Sequence, residues 1–142
     1  MTTVLLIDDE QAFVNTLAKR LDKRGMKVLT AFAGQQGLDI LNENQGIDVV
    51  ILDVKMPGMD GVETLKRLKV EHPLVEVIML TGHGTVETAI DGMRAGACDY
   101  LLKPCELDDL MQKITDAAIR KEQSLTRILE AEAQLIVLKR GD

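Results

Sequence analysis

The chain has 142 residues, of which 46% are hydrophobic and 28% are charged. This length suits one domain, and this composition predicts a globular fold rather than a disordered chain. The 17 basic and 23 acidic side chains give a net charge of −6, which argues against binding to the phosphate backbone of nucleic acids. No apolar run approaches the roughly 20 residues that a membrane helix needs, so we expect no membrane contact.

The few cysteines and aromatic residues further limit the kinds of protein that this chain could be. Cys98 and Cys105 are too few for a disulfide framework and suit a reducing compartment. The N-terminus also lacks a basic, signal-like lead, so we expect a cytoplasmic protein. Phe13, Phe32 and Tyr100 are the only aromatic residues, too few for a base-stacking platform. We therefore expect no direct contact with nucleic acid.

Five short apolar runs predict β-strands. They are rich in Val, Ile and Leu and show no alternation, which is typical of parallel strands buried on both faces. The runs are VLLI (4–7), KVLTA (27–31), VVIL (49–52), VIML (77–80) and DYLL (99–102).

Apolar residues at helical spacing fill the segments that follow these runs. They are Phe13, Leu17 and Leu21; Leu38 and Leu41; Val62, Leu65 and Leu68; Val86, Ala89, Ile90 and Met93; and Leu107, Leu110, Met111 and Ile114. Gly25, Pro73 and Gly96 end the first, third and fourth helices. Five β-α units with right-handed crossovers predict a three-layer α/β fold, an open parallel sheet with helices on both faces.

Polar residues stand where four of the predicted strands end. Asp8-Asp9-Glu10 follows the first strand, Asp53 the third, Thr81 the fourth and Lys103 the fifth. In parallel sheets the carboxyl ends of the strands share one edge, where ligands bind. Crowded carboxylates repel unless a cation offsets their charge, and an oxygen-only cluster suits Mg²⁺. The sequence therefore predicts a magnesium site at this edge.

A carboxylate beside Mg²⁺ can act as a nucleophile toward phosphorus and form an aspartyl phosphate. Phosphoryl transfer requires mainly positioning and neutralisation of the phosphoryl oxygens. Mg²⁺, the Lys103 ammonium and the Thr81 hydroxyl would share that neutralisation.

Each residue alone also has a purely structural interpretation. Asp8 and Asp9 could cap the first helix, and Asp53 could belong to the turn at Pro57-Gly58. Thr81 could begin a loop, and Lys103 could be a solvated surface lysine. Acid, acid, hydroxyl and lysine at four separate strand ends, in this order, favour the functional interpretation.

At this point the sequence resembles the receiver domains of bacterial two-component response regulators. The matching stretches are VLLIDDE (4–10), VVILDVKMPGMDGVETLKRLK (49–69), VIMLTGHG (77–84) and AGACDYLLKPCELDDL (95–110). The stretch LTGHGTVETAI further resembles receivers of enhancer-binding, NtrC-like regulators. The resemblance covers roughly the first 120 residues and implies a flavodoxin-like (βα)5 fold with strand order 2-1-3-4-5.

The resemblance implies a role for each strand-end residue. Asp53 matches the phosphoacceptor, and Asp9 and Asp53 match direct Mg²⁺ ligands, with the backbone carbonyl of Lys55 as a third. Asp8 matches the acid that reaches the metal through water. Lys103 matches the lysine that pairs with the phosphoryl group.

It also implies a switch that changes the face formed by the fourth helix, fifth strand and fifth helix. Thr81 and Tyr100 match the switch pair, in which the hydroxyl moves to the phosphoryl group and the ring turns inward. The Lys103–Pro104 bond matches the cis peptide of the family.

Three positions vary from the family or within it. Cys105 replaces a bulky apolar residue and is interpreted as a core thiol. His83 is interpreted as lining the mouth of the site rather than as a catalyst. The ammonium of Lys55 has no assigned role.

The resemblance ends near residue 120, so we expect a receiver domain over 1–120 and a helical extension over 121–142. A helix from Glu106 to Lys139 would contain 34 residues and span ~51 Å. Its stripe is Ile114, Ala118, Lys121, Leu125, Ile128, Glu132 and Leu135, nearly a heptad pattern. Such a helix is expected to pair with a second copy or to lead into an output domain, the alternative being a frayed end.

Several functional hypotheses stay open at this stage. The chain is either a receiver that acts alone or the receiver portion of a longer regulator. Its expected partner is a sensor histidine kinase or a histidine phosphotransfer protein, and we expect no enzyme activity beyond its own phosphorylation and dephosphorylation. A phosphatase of the haloacid dehalogenase type would need Asp-x-Asp, whereas Val54 and Lys55 follow Asp53. A flavodoxin would need a Ser/Thr-rich first loop in place of the acidic one.

Overall fold

A computed structural model of the chain describes residues 1–56, 60–82 and 85–140. Within these residues, five strands alternate with five helices, as the sequence predicts. The strands are β1 (Thr3–Ile7), β2 (Lys27–Ala31), β3 (Val49–Leu52), β4 (Glu76–Thr81) and β5 (Asp99–Leu102). The helices are α1 (Gln11–Lys23), α2 (Gly34–Glu43), α3 (Gly61–Glu71), α4 (Val86–Arg94) and α5 (Leu107–Lys139).

The strands form one parallel sheet in the order β2-β1-β3-β4-β5, which confirms the predicted fold and strand order. The direction of the crossovers reverses between the neighbours β1 and β3. Strands β1, β3 and β4 are almost wholly buried, whereas β2 and β5 are partly exposed. The expectation of full burial was therefore wrong for these two strands, because each lies at an edge with a neighbour on one side only.

The core is divided by the sheet into two layers, because successive side chains of a strand point to opposite faces. One layer joins the sheet to α2 and α3, and the other joins it to α1 and α5. Leu5, Val50 and Val77 represent the strands in the first layer, and Val4, Ile51 and Ile78 represent them in the second.

Helix α4 is less buried than the spacing of its apolar residues suggests. Its apolar residues Val86, Ile90 and Met93 are exposed, and Gly92 is its one buried residue. A Cβ at Gly92 would lie 2.1 Å from the sulfur of Met79, so glycine permits close contact with the sheet there. The apolar spacing thus predicted the helix correctly but marks an open surface.

Helix α5 continues far beyond the sheet. Its last buried residue is Ala117, and the Lys121 ammonium then bonds the Ile47 carbonyl at 3.1 Å and the Asp48 carboxylate at 3.0 Å. All 33 residues from Leu107 to Lys139 are helical, which contradicts the alternative of a frayed end. Among the described helices, none has the length and apolarity required to cross a membrane.

Candidate functional site at the carboxyl edge of the sheet

Two buried carboxylates stand side by side at the ends of β1 and β3. Asp8 and Asp53 are 4% and 2% exposed. The Asp8 amide donates to the Ala31 carbonyl at 3.1 Å, and the Asp53 amide donates to the Ile7 carbonyl at 3.0 Å. Because these bonds extend the parallel ladders by one residue, both aspartates are held by the sheet rather than by free loops.

Lys103 brings a positive charge to the same place from the end of β5. Its amide donates to the Thr81 carbonyl at 2.9 Å, and the Lys103–Pro104 bond is cis, as the resemblance implied. The ammonium donates to Asp8 Oδ2 at 2.6 Å and lies 3.4 Å from Glu10 Oε1. It also lies 4.0 Å from the centre of the Phe13 ring, a favourable cation–π distance.

A group of three carboxylates forms around this lysine. One oxygen each from Asp8, Glu10 and Asp53 lies within 4.8 Å of the others. Among the described residues, Asp53 Oδ1 is the one buried side-chain oxygen or nitrogen without a hydrogen-bond partner. A buried, unpaired carboxylate oxygen is costly, so this atom suits a bound cation. An all-oxygen donor set of this kind fits Mg²⁺.

The charges in this group perturb one another. Burial raises the pKa of Asp8, with a further rise from the Asp53 charge, and the bonds from Lys103 and the Glu10 amide only partly offset this. Burial alone would lower the pKa of Lys103, but the Asp8 hydrogen bond and the charges of the carboxylates raise it overall. Lys103 therefore stays protonated, and the group as a whole keeps an excess of negative charge for a cation.

The structure does not bring every predicted site residue into this group. Asp9 is exposed and lies outside the three-carboxylate group found among the described residues. Lys55 is exposed two positions after Asp53. Thr81 is fully buried at the end of β4, and the half-buried Tyr100 places its hydroxyl 3.3 Å from Thr88 Oγ1.

The structure tests the interpretation of Cys105 but not that of His83. Cys105 is partly buried and packs against the core layer under α1 and α5, where its thiol pKa is raised by burial. It also lines a cavity of about 190 Å³ with Phe13, Leu17 and Lys103, so it is not a fully enclosed core thiol. His83 and the Pro57-Gly58 turn lie outside the described residues.

Sequence reasoning missed two contributors to this site. Glu10 belongs to the predicted acidic run without an assigned role, although its carboxylate is part of the three-carboxylate group. Phe13 was read only as a core position of α1, yet its ring supports Lys103. For Glu10 a signal existed in its place next to Asp8 and Asp9, whereas nothing in the spacing of α1 indicates the Phe13 contact.

Comparisons with known proteins agree with this geometry. A family model described as the response regulator receiver domain matches residues 4–115. A receiver domain protein from Clostridium thermocellum is 41% identical, with a TM-score of 0.82 over 87% of this chain and 98% of that one. NtrX from Brucella abortus is 32% identical, with a TM-score of 0.81 over 92% of this chain and 30% of that one.

Among curated proteins, the transcriptional regulatory protein ZraR of Escherichia coli K12 is 35% identical over 133 residues. That match covers 94% of this chain but 29% of ZraR, so the chain spans less than a third of this relative. The chain therefore belongs to the response regulator receiver family, whose general function in two-component signal transduction is to accept a phosphoryl group.

Proposed function

We propose that Asp53 accepts the phosphoryl group of a phosphohistidine, carried by a sensor histidine kinase or a histidine phosphotransfer protein, in a Mg²⁺-dependent reaction. The observation that supports this most directly is the buried, unpartnered Asp53 Oδ1 beside two further carboxylates and a lysine. A carboxylate held only for stability would be expected to have its hydrogen bonds satisfied.

Asp53, Lys103 and Thr81 would each have a separate role in the phosphoryl transfer. An Asp53 oxygen forms the new bond to phosphorus as the bond to the histidine nitrogen breaks, and the electron pair leaves with the imidazole. Lys103, whose raised pKa keeps it charged, moves from Asp8 to pair with a phosphoryl oxygen. The Thr81 hydroxyl donates to another phosphoryl oxygen.

The metal would be held by carboxylates of the same edge. From the family resemblance we propose Asp9 and Asp53 as direct ligands, with the backbone carbonyl of Lys55 as a third and Asp8 acting through water. Asp9 lies outside the three-carboxylate group, so its role rests on the resemblance alone. Glu10 adds a further negative charge next to Asp8 and Asp53. When bound, Mg²⁺ supplies positive charge that offsets the repulsion between these carboxylates and an incoming anion.

The direct test is the intact mass of the chain after incubation with acetyl phosphate and Mg²⁺. We expect a gain of one phosphoryl group that is absent when EDTA removes the metal. Repeating the incubation with a phosphorylated histidine kinase would test the partner. An unchanged mass under all of these conditions would contradict the proposal.

We expect the substitution Lys103→Ala to separate metal binding from the phosphorylation response. Removing the ammonium leaves the carboxylates unpaired, so the affinity for Mg²⁺ should be retained, while the phosphoryl oxygens lose their cation. Lys103→Arg should also fail, because a guanidinium fork cannot replace a compact ammonium. Mg²⁺ titration and the beryllofluoride response would be compared with Lys19→Ala on the exposed side of α1. A Lys103→Ala protein with the full response would refute this role.

We further propose that phosphorylation changes the face formed by α4, β5 and α5, through Thr81 and Tyr100, and that this face controls partner binding. This face exposes Ile90 and Met93 of α4 and Leu102 of β5. We place the end of the receiver domain near residue 120 and assign 121–142 to an extension that links or dimerises. The output would then depend on the partner or on further domains. For this chain itself we propose neither contact with nucleic acid nor enzyme activity on other substrates. We propose that it acts in the cytoplasm.

The exposed part of α5 fits a second copy of this chain. From Leu125 to Leu138 it exposes apolar residues along about four turns of helix, and an isolated helix of this kind is unstable in water. The exposed large residues are Leu125, Ile128, Leu129, Leu135, Ile136, Val137 and Leu138. A parallel or antiparallel pair would bury those that share one side of the helix.

We expect the full chain to self-associate and a chain ending at Ser124, which keeps the Lys121 contacts, to be mainly monomeric. Beryllofluoride should change the association constant of the full chain by about 5–150-fold, a common range for coupled sites, and Thr81→Ala should reduce that change. Leu125→Glu places a charge among the exposed apolar residues and should weaken the association, whereas Gln123→Glu adds a charge at an exposed polar position and is its control. Sedimentation equilibrium would measure these association constants. Equal association constants in the full and shortened chains, with and without beryllofluoride, would exclude both the face and the extension as transmitters.

A further inference from the structure

The hydroxyl of Tyr100 connects β5 to the first turn of α4. Tyr100 is half-buried, with its ring against the core layer that contains Met79, and its hydroxyl lies 3.3 Å from Thr88 Oγ1. Thr88 is the third residue of α4 and forms a capping box with Thr85, the residue before the helix. One side chain of this turn therefore contacts both the helix cap and the β5 tyrosine.

The hydrogen-bonding capacity of Thr88 Oγ1 fixes the direction of the contact. The Thr88 hydroxyl donates its one hydrogen to the Thr85 carbonyl at 3.0 Å and accepts from the Thr85 amide at 2.9 Å. A hydroxyl has two lone pairs, so one position remains, and it can only accept. The Thr85 hydroxyl at 3.2 Å and the Tyr100 hydroxyl at 3.3 Å both lie within reach of this position. In its contact with Thr88, Tyr100 is therefore the donor, and the contact depends on an intact first turn of α4.

This turn stands next to the end of β4 in the chain. Thr85 follows Thr81 by only four positions in the sequence, so the α4 cap is close in the chain to the residue that would move. Because Gly92 is the one buried residue of α4, the helix has little apolar packing to hold its first turn in place. The contact between Thr88 and Tyr100 is a side-chain hydrogen bond that joins this turn to β5.

We propose that Thr88 is a positioning residue of the switch, which holds the Tyr100 ring in the position seen here until phosphorylation displaces it. This inference rests on the proposed function, because it requires that phosphorylation at Asp53 moves Tyr100. It adds that the Thr88 hydroxyl, which is not part of the acidic site, sets how readily that movement occurs.

The chain contains a built-in reporter for this test. Tyr100 is its only tyrosine and it has no tryptophan, so ultraviolet-excited tyrosine emission comes from this residue alone. Titration of the full chain with beryllofluoride in the presence of Mg²⁺, followed by this emission, gives the concentration at which half of the molecules have switched.

We expect Thr88→Val to lower that concentration by roughly 2–10-fold, the effect of losing one net hydrogen bond of ordinary strength. Thr88→Ser keeps the hydroxyl and should restore the wild-type value. Thr85→Ala removes the other half of the capping box but not the Tyr100 acceptor, so it controls for a weakened helix end. An equal shift in Thr85→Ala and Thr88→Val would overturn the proposal in favour of helix fraying.

A second measurement does not depend on phosphorylation. A double-mutant cycle of Thr88→Val and Tyr100→Phe, measured by urea unfolding with circular dichroism, should show a coupling of roughly 2–10-fold in the unfolding constant. Additive effects would overturn the contact itself. If tyrosine emission does not change with beryllofluoride although acetyl phosphate still adds one phosphoryl group, the switch role is overturned. If acetyl phosphate adds no mass, the proposed function itself is refuted.

Discussion

Asp53→Asn is expected to abolish the phosphoryl mass gain completely. An amide oxygen is a poor nucleophile, and no stable acyl phosphate forms on it. The substitution also removes one negative charge from the three-carboxylate group, so the affinity for Mg²⁺ should fall. Intact mass after acetyl phosphate treatment and a Mg²⁺ titration followed by thermal unfolding would measure the two effects.

Asp22→Asn on the exposed side of α1 is the matched control for Asp53→Asn. It removes the same charge from the chain but lies outside the site, so it should keep both the mass gain and the Mg²⁺-dependent stabilisation. For a ligand at 100 times its dissociation constant, that stabilisation is about 2.7 kcal/mol. Undiminished labelling of Asp53→Asn would show that the acceptor is another residue.

Gly61→Ala is expected to have the second largest effect, although Gly61 carries no chemistry. A Cβ at this position would lie 2.1 Å from the Asp53 carbonyl oxygen and 2.6 Å from Val54 Cα. Both are backbone atoms, which cannot rotate aside as a flexible side chain can. The Gly61 amide also donates to the Val54 carbonyl at 2.7 Å, so α3 begins directly against the segment that holds Asp53.

We therefore expect Gly61→Ala to lower the free energy of unfolding by about 1–3 kcal/mol or more. Displacement of Asp53 should also slow phosphorylation, on the order of 10²-fold for a shift near 1 Å. Gly46→Ala is the control, because a Cβ there has no neighbour within 4 Å. Urea unfolding and phosphorylation rates would compare the two variants. A neutral or stabilising Gly61→Ala, as helix propensity alone predicts, would show that the α3 junction shifts without cost.

The sequence alone determined the fold class, the element order and the edge at which the site lies. Short apolar runs and helical spacing are local patterns, and the crossover rule converts them into a parallel sheet with few alternatives. The order of acids, hydroxyl and lysine at four strand ends then placed Asp8, Asp53, Thr81 and Lys103 along one edge. Family resemblance added the strand order and the roles of individual residues.

Tertiary structure alone decided how the side chains meet. Spacing in α4 could not show that Ile90 and Met93 remain exposed, because burial depends on the close approach of Gly92 to Met79. The contacts of Lys103 with Glu10 and Phe13 join residues that are 93 and 90 positions apart in the chain, and no local pattern encodes them. The same is true of Thr88 and Tyr100, whose hydroxyls meet only because parallel packing sets α4 beside β5. Local periodicity fixes which face a residue can occupy, whereas distances of a few ångströms between elements decide its chemistry.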